Sequence, residues 1–329
     1  MFICYLLMDS AATLVTQLMS ADNEERKAAE ATLKTLRKEQ PQQLAQNLLA
    51  HISTLSQDAA APKQQEACFT AIILKKQFLD QRADGEEVWE MDTEAVSGLQ
   101  AQLSGSIEFA VQTPQLLKRK ADLICKCFSK LENRYGELIK NLVDLMKAPA
   151  VTPEESVKRK VFALYNFEVL AEYHLSQELI VGESGNFVEL FAASLEDPQV
   201  EIKVASLKAI TSFLSSIEDT ENVLTYKSLA TKLLQVVIEV LNRDEEQGRA
   251  SLEHMIELTH THGDIWNGAQ ALLLTVTSEI MKNREFEDET RQSALEIVVT
   301  LSENMAGILR KNIDELKTQL FPALAYMMT

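Results

Sequence analysis

Three prolines, each following a residue that can cap a helix, divide the middle of the chain into segments of about 40 residues. They occur in Thr113-Pro114, Thr152-Pro153 and Asp197-Pro198. A Thr or Asp side chain can accept a hydrogen bond from the first turn of a helix, and proline fits the first helical position because the N–H that it lacks would have no intrahelical partner. Each dipeptide therefore predicts the start of a helix, and their spacing predicts a repeating unit.

The repeating unit is most complete between Phe187 and Ile217. Apolar residues recur at helical spacing before Asp197-Pro198 and again after it, which predicts two amphipathic helices joined by a tight turn. Ala205 and Ala209 are small enough for close approach of a neighbouring helix. A basic residue recurs at the corresponding place in successive units, at Arg119, Arg159, Lys203, Arg249 and Arg291. Two helices per unit and a period near 40 are typical of HEAT or armadillo arrays.

The composition favours an all-α fold. The 329 residues include only 10 Gly and 7 Pro, and no segment alternates convincingly as a half-buried strand does. Stacked repeats share one continuous core and need no domain boundary. We therefore predict an all-α HEAT-repeat superhelical solenoid of about seven helix pairs plus one further helix, forming a single domain over residues 9–329.

Apolar periodicity and capping residues also predict the boundaries of the helices. The predicted pairs are 11–19 with 24–37, 41–55 with 63–79, 93–111 with 114–131, 135–146 with 153–172, 187–195 with 198–217, 226–241 with 246–262, and 264–281 with 288–305, followed by a single helix over 310–328. Asp22 or Ser20 is expected to cap helix 24–37. Thr152 and Glu155 are expected to form a capping box, in which Glu155 reaches back to the start of the helix.

Both ends of the chain and one polar insert carry further expectations. Residues 1–8 form an apolar leader without the basic residues of a signal peptide, and we interpret the first seven as a non-native extension. Residues 80–92 are predicted to be an exposed loop with Trp89 folded back onto the solenoid. The last helix carries an apolar stripe that we expect to be open, with a kink near Pro322; the stripe comprises Leu316, Leu320, Leu324 and Met327. An open stripe predicts that the chain is the N-terminal part of a longer protein.

The formal net charge of −17 bears on the partners of the protein. It disfavours direct binding to nucleic acid, which requires a basic surface, and it suits partners that are themselves basic. The alternative explanation is solubility alone, since a long solenoid needs a solvated exterior. No segment is long and apolar enough to insert into a membrane.

The sequence lacks the patterns that accompany the commonest catalytic and metal sites. Walker, GxGxxG, GxSxG and HExxH motifs are all absent. His260 and His262 point apart on a helix, and the four cysteines form no CxxC pair and are expected to be buried thiols. We therefore predict no catalytic residue, no metal and no cofactor, and a protein that is not an enzyme. The charged runs at 75–76, 118–120 and 244–246 have two interpretations. They are either ordinary surface, solvated or complementing a helix dipole, or they are binding sites.

Three segments resemble the importin-beta (karyopherin-beta) family of nuclear transport receptors, and most closely its beta-3 subclass. Residues 19–33 (MSADNEERKAAEATL) resemble the first repeat of the family, residues 73–80 (ILKKQFLD) resemble the second, and residues 291–311 (RQSALEIVVTLSENMAGILRK) match the subclass best. The resemblance spans most of residues 9–328 and is weak over 81–111 and near 182–185. The leader departs from the family, as does a length of about seven and a half repeats, less than half of the number in family receptors.

The resemblance implies a carrier that shuttles between cytoplasm and nucleus. Its implied partners are Ran-GTP, Phe-Gly nucleoporins and basic cargo proteins, with Phe-Gly contacts in apolar grooves between neighbouring first helices and most cargo contacts on later repeats. Ran-GTP is expected on the second helices 24–37, 63–79 and 114–131. The residues that the resemblance suggests for this contact are Lys75, Lys76, Lys118 and Asp122, and those suggested for a basic patch of Ran are Asp244, Glu245 and Glu246.

Two other function classes remain open at this point. A passive HEAT scaffold, such as a regulatory subunit of a multiprotein complex, would show the same periodicity. An enzyme built from helical hairpins is disfavoured because the expected catalytic constellations are absent.

Overall fold

The structure is a computed structural model that describes residues 11–80, 91–131, 135–171 and 182–328. Within these ranges every regular element is a helix and there is no β-strand, so the predicted all-α fold is confirmed. The elements pack along the chain into two compact units, residues 1–162 and 163–329, whose boundary falls within one helix. The single continuous domain predicted over residues 9–329 stays a prediction.

The first unit contains three complete helix pairs and the start of a fourth. Its helices are α1 (11–18), α2 (Asn23–Glu39), α3 (Pro41–Leu55), α4 (Ala61–Leu74), α5 (Thr93–Gly105), α6 (Pro114–Lys130), α7 (Tyr135–Lys147) and α8 (Pro153–Ala171), which crosses the boundary. A π-helical turn, Lys75–Leu79, continues α4. The second helix α4 packs on the next second helix α6, and the first helix α3 packs on the next first helix α5. This is the arrangement of a helical repeat array.

Local capping accounts for several helix starts in this unit. Asp22 accepts hydrogen bonds from the backbone N–H groups of Glu24 and Glu25 at 2.8 and 3.2 Å, whereas Ser20 accepts one from the Asp22 N–H. Asp22 is therefore the cap. Thr152 accepts from the Glu155 N–H at 3.1 Å, as predicted. The Glu155 carboxylate reaches back to the Val151 N–H at 3.3 Å, one residue earlier than the capping-box geometry predicts.

The second unit contains three helix pairs. They are α9 (Ser184–Leu195) with α10 (Val200–Ser215), α11 (Thr220–Val223) and α12 (Ala230–Leu241) with α13 (Glu245–His262), and α14 (Gln270–Lys282) with α15 (Asp288–Asn304). The short helices α16 (Ala306–Lys311), α17 (Ile313–Glu315) and α18 (Phe321–Met327) follow, with a π-helical turn Leu316–Leu320 before α18. The second helices α10, α13 and α15 pack on one another in succession.

Aromatic side chains fill the start of the core of the second unit. Phe187, Phe191 and Phe213 are fully buried and lie 5.2 to 6.2 Å apart between ring centroids. Phe167 meets the first two edge-on, and Tyr226 meets Phe213 edge-on at 5.7 Å. Edge-to-face pairs of this kind add stability beyond the burial of their area. The repeat that was easiest to recognise in the sequence is thus anchored by an aromatic cluster.

The turn at Asp197-Pro198 differs from the prediction. The helix that follows begins at Val200, with Gln199 at its N-cap, so Pro198 does not occupy the first helical position. The Asp197 carboxylate instead accepts a hydrogen bond from the Gln199 N–H at 3.0 Å, two residues on. Such a side-chain turn competes with direct capping. Ala209 is fully buried, whereas Ala205, expected at a close helix contact, is only half-buried.

Three predicted helices are shorter or less regular than expected. The helix that starts at Thr93 ends at Gly105 instead of 111, and Ser106 is its C-cap. Residues near Tyr226 and Asp264 form 3₁₀ turns, Leu224–Leu229 and Gly263–Trp266, ahead of the α-helices. Short 3₁₀ turns are common at helix ends, and the apolar spacing of the sequence does not separate them from α-helix.

The apolar stripe of the last helix is partly covered, which differs from the open face that was predicted: Leu320 is buried, and the other three residues are half-buried. The segment containing Leu316, Leu320, Leu324 and Met327 packs on α14, the preceding first helix, and Leu320 is only 4% exposed. The predicted irregularity near Pro322 takes the form of the π-helical turn that precedes it. Proline lacks the N–H that an α-helix would require and crowds the preceding turn. The leader 1–8 and Trp89 lie outside the described residues.

Candidate partner-binding surfaces

The predicted basic contacts lie on two adjacent second helices of the first unit. Lys75 and Lys76 are on the π-helical turn after α4, and Lys118 is on α6. Lys76 and Lys118 are exposed, while Lys75 is half-buried. The π-helical turn packs on α6, so the structure brings these lysines to neighbouring elements of one unit.

Asp122 is placed differently from these lysines. Its residue exposure is 8%, and its carboxylate lies 3.4 Å from the guanidinium of Arg119 on the same helix. It therefore neutralises part of the basic charge of α6 and holds Arg119. A direct contact between Asp122 and a partner stays a prediction.

Two further lysines extend the basic surface and were missed in the sequence. Lys126 and Lys130 are half-buried on α6. Together with Lys118 and Asp122 they form a series in which each residue follows the last by four positions. Burial lowers the pKa of Lys126, Asp80 at 3.9 Å raises it, and the positive charges of Lys130 and Lys75 lower it. The spacing of four could have revealed this line, because residues i and i+4 share a helix face. We call Lys75, Lys76, Lys118, Lys126 and Lys130 the basic face.

The predicted acidic contacts lie in the second unit, at the start of α13. Asp244 caps this helix and accepts from the Gln247 N–H at 3.0 Å. Glu245 accepts from the Glu287 N–H of the next repeat at 2.6 Å. Glu246 is exposed. Two of the three carboxylates therefore have a structural role, and Glu246 is the one most open to a partner.

Arg249 links the same region to the following repeat. Its guanidinium lies 3.1 Å from the Glu287 carboxylate and 2.5 Å from that of Glu289, at the start of α15. Lys203, the equivalent basic residue one repeat earlier, pairs with Glu239 of the next first helix. These two members of the recurrent basic series thus join neighbouring repeats in the second unit.

A groove of about 400 Å³ runs between the first helices α3 and α5. Its lining includes Ala45 and Leu49 from α3 and Ala95, Gly98 and Leu99 from α5. Gly98 lies inside α5, where glycine costs about 1 kcal/mol relative to alanine. A Cβ added there would meet no atom within 4 Å. The absence of a side chain at Gly98 therefore leaves open space on this wall of the groove.

The described residues contain no group of three or more His, Cys, Asp or Glu side chains arranged to hold a metal ion. Cys68, Cys125 and Cys127 form no disulfide, and burial raises the pKa of Cys127 to about 12. His262 is buried and hydrogen-bonds with the Ile217 backbone, while His260 is exposed. No described helix has the length and apolar character needed to span a membrane.

Comparison with known proteins supports the resemblance found in the sequence. Residues 129–276 match the family model described as IPO5-like, TPR repeats. Kap121p bound to RanGTP superposes with a TM-score of 0.70 at 17% identity, and Kap121p bound to Nup53p with 0.71 at 16%; both cover 94% of this chain and 28% of theirs. Importin beta gives a TM-score of 0.68 at 16% identity over 89% of this chain and 34% of its own. No curated protein matches the sequence.

These comparisons define the fold class of the chain. The chain is a HEAT-repeat solenoid, as predicted, and it spans about a quarter to a third of the solved chains that it matches. The family-model match over residues 129–276 and the fold shared with Kap121p and importin beta support the resemblance to the importin-beta family. The beta-3 subclass stays a prediction.

Proposed function

We propose that this chain is part of a nuclear import receptor that binds Ran-GTP and carries basic protein cargo through the nuclear pore. It would act as a carrier and not as an enzyme, and it would shuttle between cytoplasm and nucleus. Kap121p, which shares its fold, is known in structures bound to RanGTP, to Pho4p and to Nup53p, and these complexes support the kinds of partner proposed.

The basic face is the observation that carries the Ran-GTP proposal. Five lysines lie on adjacent second-helix elements of a chain whose net charge is −17. The Lys126 ammonium group lies 3.9 Å from the Asp80 carboxylate, which is one acidic group beside this set of lysines. An acidic partner surface would relieve the repulsion among these lysines and would be attracted to them over a Debye length of about 8 Å at physiological ionic strength.

The test is the binding of purified Ran, loaded with GTP or GDP, to the immobilised chain at several salt concentrations. We expect the GTP form to bind much more tightly. Charge reversal at Lys75 and Lys76 should weaken binding at every salt concentration, whereas Lys282→Glu, an exposed lysine on the first helix α14, should not. Glu246→Gln should slow association chiefly at low salt, and this variant leaves the cap at Asp244 intact.

Equal binding of the two nucleotide forms, or no binding at micromolar concentration, would favour the passive scaffold. The variant Asp122→Asn is a separate check of the predicted partner contact. It should alter binding if Asp122, or the Arg119 with which it pairs, contacts the partner, and unchanged binding would remove both residues from the interface.

The groove between α3 and α5 supports the proposal of Phe-Gly nucleoporin binding. Its lining mixes apolar residues such as Ala45, Leu49 and Leu99 with polar ones such as Gln42, Gln46 and Gln102, and the open space at Gly98 suits an aromatic ring. Gly98→Leu should abolish binding of a fluorescent Phe-Gly repeat peptide measured by anisotropy. Gly307→Leu is a matched control, since Gly307 is also helical and open. Equal affinity of both variants and the unchanged chain would remove this groove as the binding site.

A further inference from the structure

Lys120 is a fully buried basic residue with an unusual partner. It lies on α6 with an exposed fraction of 0%, and its ammonium group donates to the Ser106 carbonyl at 2.6 Å and to the Ser106 hydroxyl at 3.0 Å. Lysine is almost never fully buried unless it is paired. Here burial lowers the pKa of Lys120 to about 8, and the negative charge of Glu108 opposes that shift.

The partner of Lys120 is the end of a helix. Ser106 is the C-cap of α5, and its hydroxyl donates to the Leu103 carbonyl at 2.9 Å. The Gln112 amide donates to the same Ser106 carbonyl at 2.7 Å. Free carbonyl groups at a helix C-terminus carry partial negative charge, which a cation stabilises. The last turn of α5 is therefore anchored by two donors from outside that helix.

A second contact fixes the start of α6 relative to the preceding helix pair. The Gln64 side chain on α4 accepts from the Thr113 N–H at 3.1 Å and donates to the Asp58 carbonyl at 2.6 Å. Gln64 is 2% exposed, so these bonds are protected from water. Lys120 therefore lies on a helix whose start is held in place by Gln64. Its hydrogen bonds to Ser106 fix the C-terminal end of α5 relative to that helix.

The anchored helix is one wall of the groove described above. Leu99 and Gln102 line the groove within two turns of Ser106, and Gly98 provides no side chain that could fill a wider gap. The position of α5 therefore sets the separation of the two walls. We propose that Lys120 is a positioning residue for this groove, which holds the C-terminal end of α5 so that the gap from α3 fits an aromatic side chain. The identity of that side chain rests on the proposed function.

The width of the groove can be measured without a ligand. Gln46 on α3 and Gln102 on α5 are both exposed at the groove. Spin labels attached to the variants Gln46→Cys and Gln102→Cys would report the distance between the two helices. Cys4 and Cys68 are changed to Ser so that they are not labelled. Lys120→Met removes the charge and keeps most of the length. We expect a broader distance distribution in this variant and no change in Lys203→Met, which removes a paired lysine from the second unit.

Affinity for the Phe-Gly repeat peptide provides the second readout. Lys120→Met should weaken it several-fold, and Lys203→Met should leave it unchanged. Ser106→Ala removes the hydroxyl that accepts from Lys120 and keeps the carbonyl. It should change the distance distribution and the peptide affinity in the same direction as Lys120→Met, but by less. This variant provides the test if Lys120→Met does not fold.

An unchanged distance distribution in both Lys120→Met and Ser106→Ala would overturn the positioning role. A broader distribution with unchanged peptide affinity would overturn the claim that the gap set by Lys120 fits an aromatic side chain. If the unaltered chain binds no peptide, the proposed Phe-Gly partner fails, and the distance measurement alone decides whether Lys120 sets the groove.

Discussion

Replacing Phe213 tests whether aromatic geometry, and not only burial, holds the second unit together. Phe213 is 0% exposed and its ring centroid lies 5.2, 5.4 and 5.7 Å from those of Phe187, Phe191 and Tyr226. Phe213→Ala should cost about 3 to 5 kcal/mol through lost burial and a cavity. Phe213→Leu keeps most of the apolar volume but loses three ring pairs, each contributing about 0.5 to 1.5 kcal/mol.

The expected loss for Phe213→Leu is therefore about 1.5 to 4.5 kcal/mol, which lowers the unfolding temperature by at least about 3 °C for a unit of this size. Trp266 is fully buried in the same unit, so its fluorescence in a Trp89→Phe background reports this unfolding. Phe321→Leu is the control, because Phe321 is 55% exposed. A Phe213→Leu shift no larger than that of the control would refute the argument from ring geometry.

Three further predictions address a helical glycine, a cap and a titrating group. Gly248→Ala should destabilise the second unit in thermal unfolding, because a Cβ at Gly248 would lie 2.7 Å from the Leu241 Cα. Gly307→Ala is the control: its Cβ would meet open space, so this variant should be more stable by about 0.5 to 1 kcal/mol. Thr152→Ala should cost about 0.5 to 2 kcal/mol by removing a cap. Thr54→Ala, which removes an exposed hydroxyl in the last turn of α3, should cost much less, and equal shifts would contradict the capping role. Burial lowers the pKa of His262 below its usual 6.5, and the Ile217 hydrogen bond and Asp264 only partly oppose this. The unfolded chain therefore binds more protons than the native state as the pH falls below 6.5, so the native state should lose stability there. His262→Gln should lose less stability than the unchanged chain. His254, whose pKa is also lowered, is present in both proteins and does not account for the difference. Identical pH profiles in urea unfolding would contradict this assignment.

The helix pairs could be predicted because their signals are local. Thr113 and Thr152 cap the helices that begin at the next residue, and Pro41–Leu55 agrees with its predicted bounds at both ends. Asp197-Pro198 carries the same signal, yet its carboxylate bonds to the Gln199 N–H and the helix starts later. The choice between capping and a side-chain turn depends on the path of the chain, which the dipeptide does not contain.

The candidate surfaces were predictable only in part, because charge in a sequence does not reveal burial. Lys118 and Lys120 stand two positions apart in a basic run, but one is exposed and the other fully buried on a helix C-terminus. Lys126 follows a spacing that the sequence does contain. The groove could not be located, since it depends on the separation of α3 and α5 and on empty space at Gly98.

The same geometry explains why the last helix was misjudged. An amphipathic stripe with no later partner helix in the sequence suggests an open face, but each first helix of an array packs on its predecessor as well as on its own second helix. Leu320 and Ala323 are buried in this way against α14. In a repeat protein the partner of an apolar stripe therefore has to be sought about one period away in both directions, and an expected open face is informative only after the preceding repeat has been considered.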